Sequence, residues 1–100
     1  MLESKVTVVA RFKARDNMID EAKRELLALV PLTRAEAGCL NYDLHQDPLD
    51  RRLFIFYENW IDQTALDEHL NQPYLKTLRN KSQKLFADPV ILEQWQMVSY

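Results

Sequence analysis

His69 has the side chain best suited to chemistry in this 100-residue chain. It follows Ala65 and Leu66 at helical spacing, which puts it on the inner side of a short helix, close in sequence to Trp60. An imidazole there can take a proton from a phenol near neutral pH. The plainer reading is a buried histidine bonded to a strand carbonyl. Tyr42 is the second candidate, with a hydroxyl placed either to meet a substrate oxygen or to reach solvent. Trp60, Phe54 and Phe56 share a strand face with Glu58 and read as an aromatic wall or as plain core. Glu58 among aromatics is costly to ionise. It is expected to pair with Arg11 or Arg34, the alternative being a pocket acid that keeps its proton. Arg79 either neutralises an anionic substrate or sits on the surface.

Other residues limit the chemistry. His45 precedes the turn Gln46-Asp47-Pro48 and is expected to be exposed. His45 and His69 lack the spacing of paired metal ligands, so no metal site is expected. Cys39 is the only cysteine. It has no histidine beside it, so it reads as a small packed residue rather than a nucleophile. Gly38 is the only glycine, and phosphate-cradling loops need two or three. Nicotinamide, flavin and ATP sites of the familiar kinds are therefore not expected, and no cofactor is assigned.

The hydrophobic share is 47% and the charged share 28%, an ordinary globular balance. The net charge is -2, with no basic block, which argues against nucleic acid. No apolar run approaches a membrane span. Met1-Leu2-Glu3-Ser4-Lys5 lacks a signal pattern, giving a cytoplasmic expectation. One domain over residues 1–100 is expected, and a chain this short gains from burying a sheet face against a second copy.

The periodicity supplies elements to hold these residues. Val6 to Phe12 alternates as a strand. Asn17 with Asp20 reads as a capping pair for a helix from Met18 to about Ala37, with Ile19, Ala22, Leu26, Leu29 and Val30 inward. Pro31 predicts a kink or early stop, and Gly38 a left-handed cap. Cys39 to His45 and Leu53 to Ile61 read as strands, the first with Leu40, Tyr42 and Leu44 on one face. Asp62 caps a short helix, Pro73 opens further helical turns, and Asp88-Pro89 ends them. Val90 to Tyr100 reads as the last strand. The order β-α-β-β-α-β is the ferredoxin-like α+β pattern, a four-stranded antiparallel sheet with helices on one face.

Three segments carry a family resemblance in order and spacing: Gly38-Cys39-Leu40-Asn41-Tyr42, Tyr57-Glu58-Asn59-Trp60 and Ala65-Leu66-Asp67-Glu68-His69. Thr33-Arg34-Ala35-Glu36 and Pro73-Tyr74 extend it. Together they resemble the antibiotic biosynthesis monooxygenase family, from Val6 to Trp95. The resemblance implies a homodimer whose sheets form a dimeric α/β barrel. It also implies oxidation of a small aromatic quinol or polyphenol by molecular oxygen, independent of metal or flavin. His69 would be the base, Tyr42 its hydrogen-bonding partner, and Trp60, Phe54, Phe56, Glu58 and Arg79 the substrate-binding residues.

The family is functionally mixed, so fold licenses architecture more firmly than reaction. One alternative is isomerisation of a small phosphorylated dione, which Gln46-Asp47-Pro48 and Pro73-Tyr74-Leu75-Lys76-Thr77 resemble. Arg34, Lys76 and Arg79 would then grip the phosphate. Another is a non-catalytic dimeric binding or stress-response module. Haem degradation is disfavoured: Arg79 stands where those relatives place a helix histidine, and Ala10 or Arg11 where they place an asparagine.

Overall fold

The computed structural model describes residues 4–100, so Met1 to Glu3 of the N-terminal reading lie outside it. The elements run β1 (Val6–Lys13), α1 (Ile19–Arg34), β2 (Cys39–Gln46), β3 (Leu53–Trp60), α2 (Gln63–Leu70), α3 (Pro73–Asn80), α4 (Ser82–Leu85) and β4 (Ile91–Trp95). The sheet is antiparallel in the order β2-β3-β1-β4. This is the α+β arrangement the β-α-β-β-α-β order calls for.

Strand pleat decides which residues reach the site. Val8 pairs with Glu58, Ala10 with Phe56 and Phe12 with Phe54. All six are buried on the helix-covered face. Burying each large aromatic there contributes about 1.5–3 kcal/mol. Tyr42 of β2 lies opposite Glu58 on the same face. The other parity faces away from the helices and exposes Tyr57, Ile91 and Trp95 at 42%, 54% and 58%.

Helix α1 buries Ala22, Leu26, Leu29 and Thr33. One local expectation fails at its start. Met18, not Asn17, occupies the N-cap, and no side chain caps it. Pro31 does not stop the helix, which continues to Arg34. The proline is exposed, so the Leu27 carbonyl it leaves without a donor lies on the solvent side where water can bond it.

Gly38 is no left-handed cap, since no described glycine has a positive φ. Its requirement is closeness. A Cβ at Gly38 would lie 2.3 Å from Ala65 Cβ. The missing side chain lets α2 sit against the start of β2, and the Ile61 amide donates to the Gly38 carbonyl at 2.9 Å. Ala65 and His69 share one helix face, so this approach also sets the depth of His69.

The outer elements are shorter or bent. A register shift between Cys39 and Asn41 turns Leu40 outward, 55% exposed, against its expected pairing with the inner face. β4 ends at Trp95 because its ladder partner there is Thr7, next to the first residue of β1. Only Val6 of β1 lies beyond that pair, so the expected strand to Tyr100 has almost no β1 backbone left to pair with. No helix among the described residues is long and apolar enough to cross a membrane.

Candidate active site

Between the inner sheet face and helices α2 and α3 lies a cavity of about 260 Å³. Its walls are mostly apolar, with Val8, Ala10 and Phe12 from β1, Leu66 from α2, Leu78 from α3 and Leu92 from β4. Five of the expected site residues line it: Tyr42, Phe56, Glu58, His69 and Arg79. Phe54 and Trp60 are not among the lining residues. Both are fully buried behind it.

α2 delivers His69. Asp62 is extended and its carboxylate accepts the Ala65 amide at 2.8 Å, fixing the first turn; such a cap contributes about 1 kcal/mol. Two turns on, His69 is 2% exposed. Its Nδ1 lies 2.8 Å from Oε2 of Glu36, in the turn between α1 and β2. The carboxylate accepts, so Nδ1 carries the proton and Nε2 keeps the lone pair. Nε2 has no hydrogen-bond partner among the described residues. Burial lowers the pKa of His69, while the Glu36 hydrogen bond and charge oppose that fall. The ring is therefore held neutral and oriented, with one basic nitrogen free. The Tyr74 hydroxyl donates to the same Glu36 oxygen.

The plainer expectation of a histidine bonded to a strand carbonyl is corrected, because its partner is a carboxylate. Glu36 was not singled out from sequence for any role. It lies in a turn, far from His69 along the chain, and no local pattern joins the two. The only sequence signal was its place in the segment Thr33-Arg34-Ala35-Glu36.

Glu58 also departs from expectation. Arg11 pairs with Glu93 at 3.0 Å, and Arg34 with Asp43 at 2.8 Å and the Tyr42 carbonyl at 3.1 Å. Neither reaches Glu58. The register explains this, because Arg11 has the outward parity and Glu58 the inward one. The partner of Glu58 is Trp60, whose Nε1–H donates to Oε1 at 2.9 Å. Glu58 is 3% exposed, and its pKa is raised to about 7. Burial is the main cause; the Trp60 hydrogen bond opposes it and the Glu36 charge adds to it.

The aromatic residues brace the site. Tyr42 stacks on Phe56 with ring centroids 4.2 Å apart, and its edge meets His69 at 5.4 Å. Trp60 lies 4.6 Å from the His69 ring. Burial holds the Tyr42 phenol well above its ordinary pKa, so it keeps its proton and serves as a donor. Thr33 lies beside it, fully buried, its hydroxyl without a well-formed hydrogen bond.

Arg79 stands at the edge of the cavity, exposed, and both its terminal nitrogens donate to the Leu70 carbonyl at 3.2 Å. It closes the C-terminal end of α2. Lys76 is exposed and does not line the cavity, and Arg34 is engaged with Asp43. The three cations do not converge as a phosphate grip would require. His45 is exposed, with Nδ1 3.1 Å from the Asp43 carbonyl. Among the described residues no three His, Cys, Asp or Glu side chains come together to hold a metal ion. Cys39 is half-buried, and burial with the Glu36 and Glu58 charges pushes its thiol up to about 11.

The model of the antibiotic biosynthesis monooxygenase family matches residues 5–81. The chain is 34% identical to "Putative monooxygenase Rv0793" of Mycobacterium tuberculosis, over 89% of this chain and 87% of that protein. It is 31% identical to the uncharacterized protein sll1783 of Synechocystis over 77% of its own length, but spans only 55% of that protein. The crystal structure of PA3566 from Pseudomonas aeruginosa superposes with a TM-score of 0.92 at 35% identity, covering 99% of both chains. The Rv0793 structure gives 0.90 at 30% identity, covering 97% of this chain and 98% of that one. Family and names together point to a monooxygenase type of function. With a matching fold, and a family model spanning most of its length, the chain belongs to the antibiotic biosynthesis monooxygenase family.

Proposed function

We propose that this protein oxidises a small dihydroxy aromatic with molecular oxygen, with His69 as the base that starts the reaction. The observation that carries the reading is the 2.8 Å bond from His69 to Glu36 on the wall of a mostly apolar cavity. That bond leaves Nε2 as the basic nitrogen open to a ligand.

Oxygen reacts slowly with closed-shell molecules unless something supplies single electrons. A quinol that has lost a proton is electron-rich enough to do so itself. His69 takes a phenolic proton, and Glu36 stabilises the imidazolium that forms. Tyr42 donates a hydrogen bond to a ligand oxygen, and Phe56 offers its ring as a wall. Leu66, Leu78 and Val8 keep water from the reacting ring. Over one turnover the quinol and O2 give a hydroxylated quinone and water. One oxygen atom enters the ring, and the other leaves as water with two hydrogens from the substrate.

We further propose that the protein works as a homodimer. Tyr57, Ile91 and Trp95 leave an apolar band on the outer sheet face, which a second copy of the same face would cover.

Oxygen uptake with menadiol-like and catechol-like quinols tests the reaction. Consumption above the autoxidation rate is expected for at least one of them. Binding of these quinols with no added uptake would instead favour a binding module.

A further inference from the structure

Glu58 is a carboxyl in the cavity wall that the proposed base chemistry does not use. Its surroundings are fully specified. Oε1 accepts the Trp60 N–H. Oε2 has no partner among the described residues. Each element around it brings a group that bears on its charge. From β2 come the phenol of Tyr42 and the thiol of Cys39, from β1 the apolar Val8, and from α2 the neutral ring of His69. Glu36, after α1, adds a second negative charge. From α3 comes Arg79, whose guanidinium is taken by the Leu70 carbonyl. The cations expected to pair with Glu58 are held by Glu93 and Asp43.

A buried carboxyl with one oxygen satisfied and no facing cation holds its proton well above the usual carboxylate range, which turns an acceptor into a donor. Oε2, unlike the sealed Thr33 hydroxyl, opens to the cavity, where a ligand can reach it. We propose that Glu58 is the recognition acid of this cavity, its Oε2–H donating to a carbonyl-type oxygen of the bound molecule. The cavity then holds one oxygen of a ring at the base, His69, and another at a neutral acid, Glu58. That pattern suits a quinone or the keto form of a quinol. The identification of the ligand as a quinone rests on the aromatic reading above; the donor role of Glu58 does not.

The test is binding of menadione, a neutral quinone, followed by tryptophan quenching between pH 6 and 9. Menadione has no ionisable group, and His69, Tyr42 and Cys39 hold their protonation state over most of this range. Affinity of the wild type should fall roughly tenfold per pH unit above about 7, as Glu58 ionises. Glu58→Gln keeps an acceptor for Trp60 and an N–H donor for the ligand, and cannot ionise. Its affinity should change less than twofold over the range. A flat wild-type profile, or a slope that survives in Glu58→Gln, would overturn the proposal.

Infrared spectra of the wild type give a check that needs no variant. A protonated carboxyl band is expected at pH 6.5, shifted on adding menadione and lost by pH 9. Its absence at pH 6.5 would also overturn the proposal. No menadione binding at any pH, with the band present, would count against the quinone reading and leave the protonated acid standing. A flat wild-type profile for menadione, with quinol turnover intact, would do the reverse.

Discussion

His69 Nδ1 and Glu36 Oε2 stand 2.8 Å apart, joining the last turn of α2 to the turn that follows α1. A carboxylate behind an imidazole fixes the tautomer and supports the charged ring after it takes a proton. Glu36 thus acts through His69 as a positioning residue.

Replacing Glu36 by Gln should lower kcat and move the acidic limb of the pH–kcat/KM profile to lower pH. The direction follows from the electrostatics, since Glu36 raises the His69 pKa against the fall caused by burial. A base works when deprotonated, so a lower pKa shifts its limb to the acid side. A uniform loss of rate with an unmoved limb would mean that Glu36 only supports the fold.

Glu58 makes stability depend on pH in a defined sense. Its folded pKa, about 7, lies above the ordinary value of 4.5. Folded protein therefore binds the extra proton between these values. The contribution is present below about 4.5 and is lost as pH rises through 7. Glu58→Gln should accordingly be more stable than the wild type at pH 8, by on the order of a few kcal/mol, and nearly equal to it at pH 5. Melting temperatures at the two pH values check this. His69 acts in the other direction: its lowered pKa costs stability as pH falls below about 6.5.

Gly38→Ala should destabilise the protein, because its new methyl would lie 2.3 Å from Ala65 Cβ, both atoms held by backbone. A shift of α2 to relieve the clash also displaces His69. We expect a loss of about 1–3 kcal/mol, typical of overpacking, together with a fall in turnover. Thermal unfolding and oxygen uptake measure the two effects.

Cys39 should react slowly with thiol reagents at pH 8. Its thiol is half-buried and raised to about 11, so little thiolate is present. Fast labelling of the native protein would contradict the packing around it.

Much of the fold was legible because local periodicity and burial agree. The alternation in Val6 to Phe12 and Leu53 to Ile61 groups the residues that share a face correctly, and Asp62 caps α2 as its type suggests. What was hidden depended on distance between elements. Gly38 reads as a cap from sequence because nothing there announces the approach of Ala65. Leu40 misreads because a bulge leaves no mark in the alternation around it. At the site, strand parity put Phe56, Glu58 and Tyr42 on one face. Parity does not say where along that face a cavity opens, so Trp60 and Phe54 read as lining residues although neither lines it. The Glu36–His69 contact joins a turn to a helix through the tertiary fold alone. The missing partner of Glu58 was half legible, since Arg11 already had the wrong parity. Arg34, by contrast, is kept from Glu58 by its contact with Asp43, which no local pattern announces.

The proposed base is tested most directly by following oxygen consumption with the accepted quinol for the wild type and His69→Ala, with circular dichroism showing both folded. General base catalysis accounts for about 10²–10⁴-fold in rate, so uptake should fall by at least a hundredfold at neutral pH. Equal rates for the two proteins would show that the imidazole does not remove the phenolic proton.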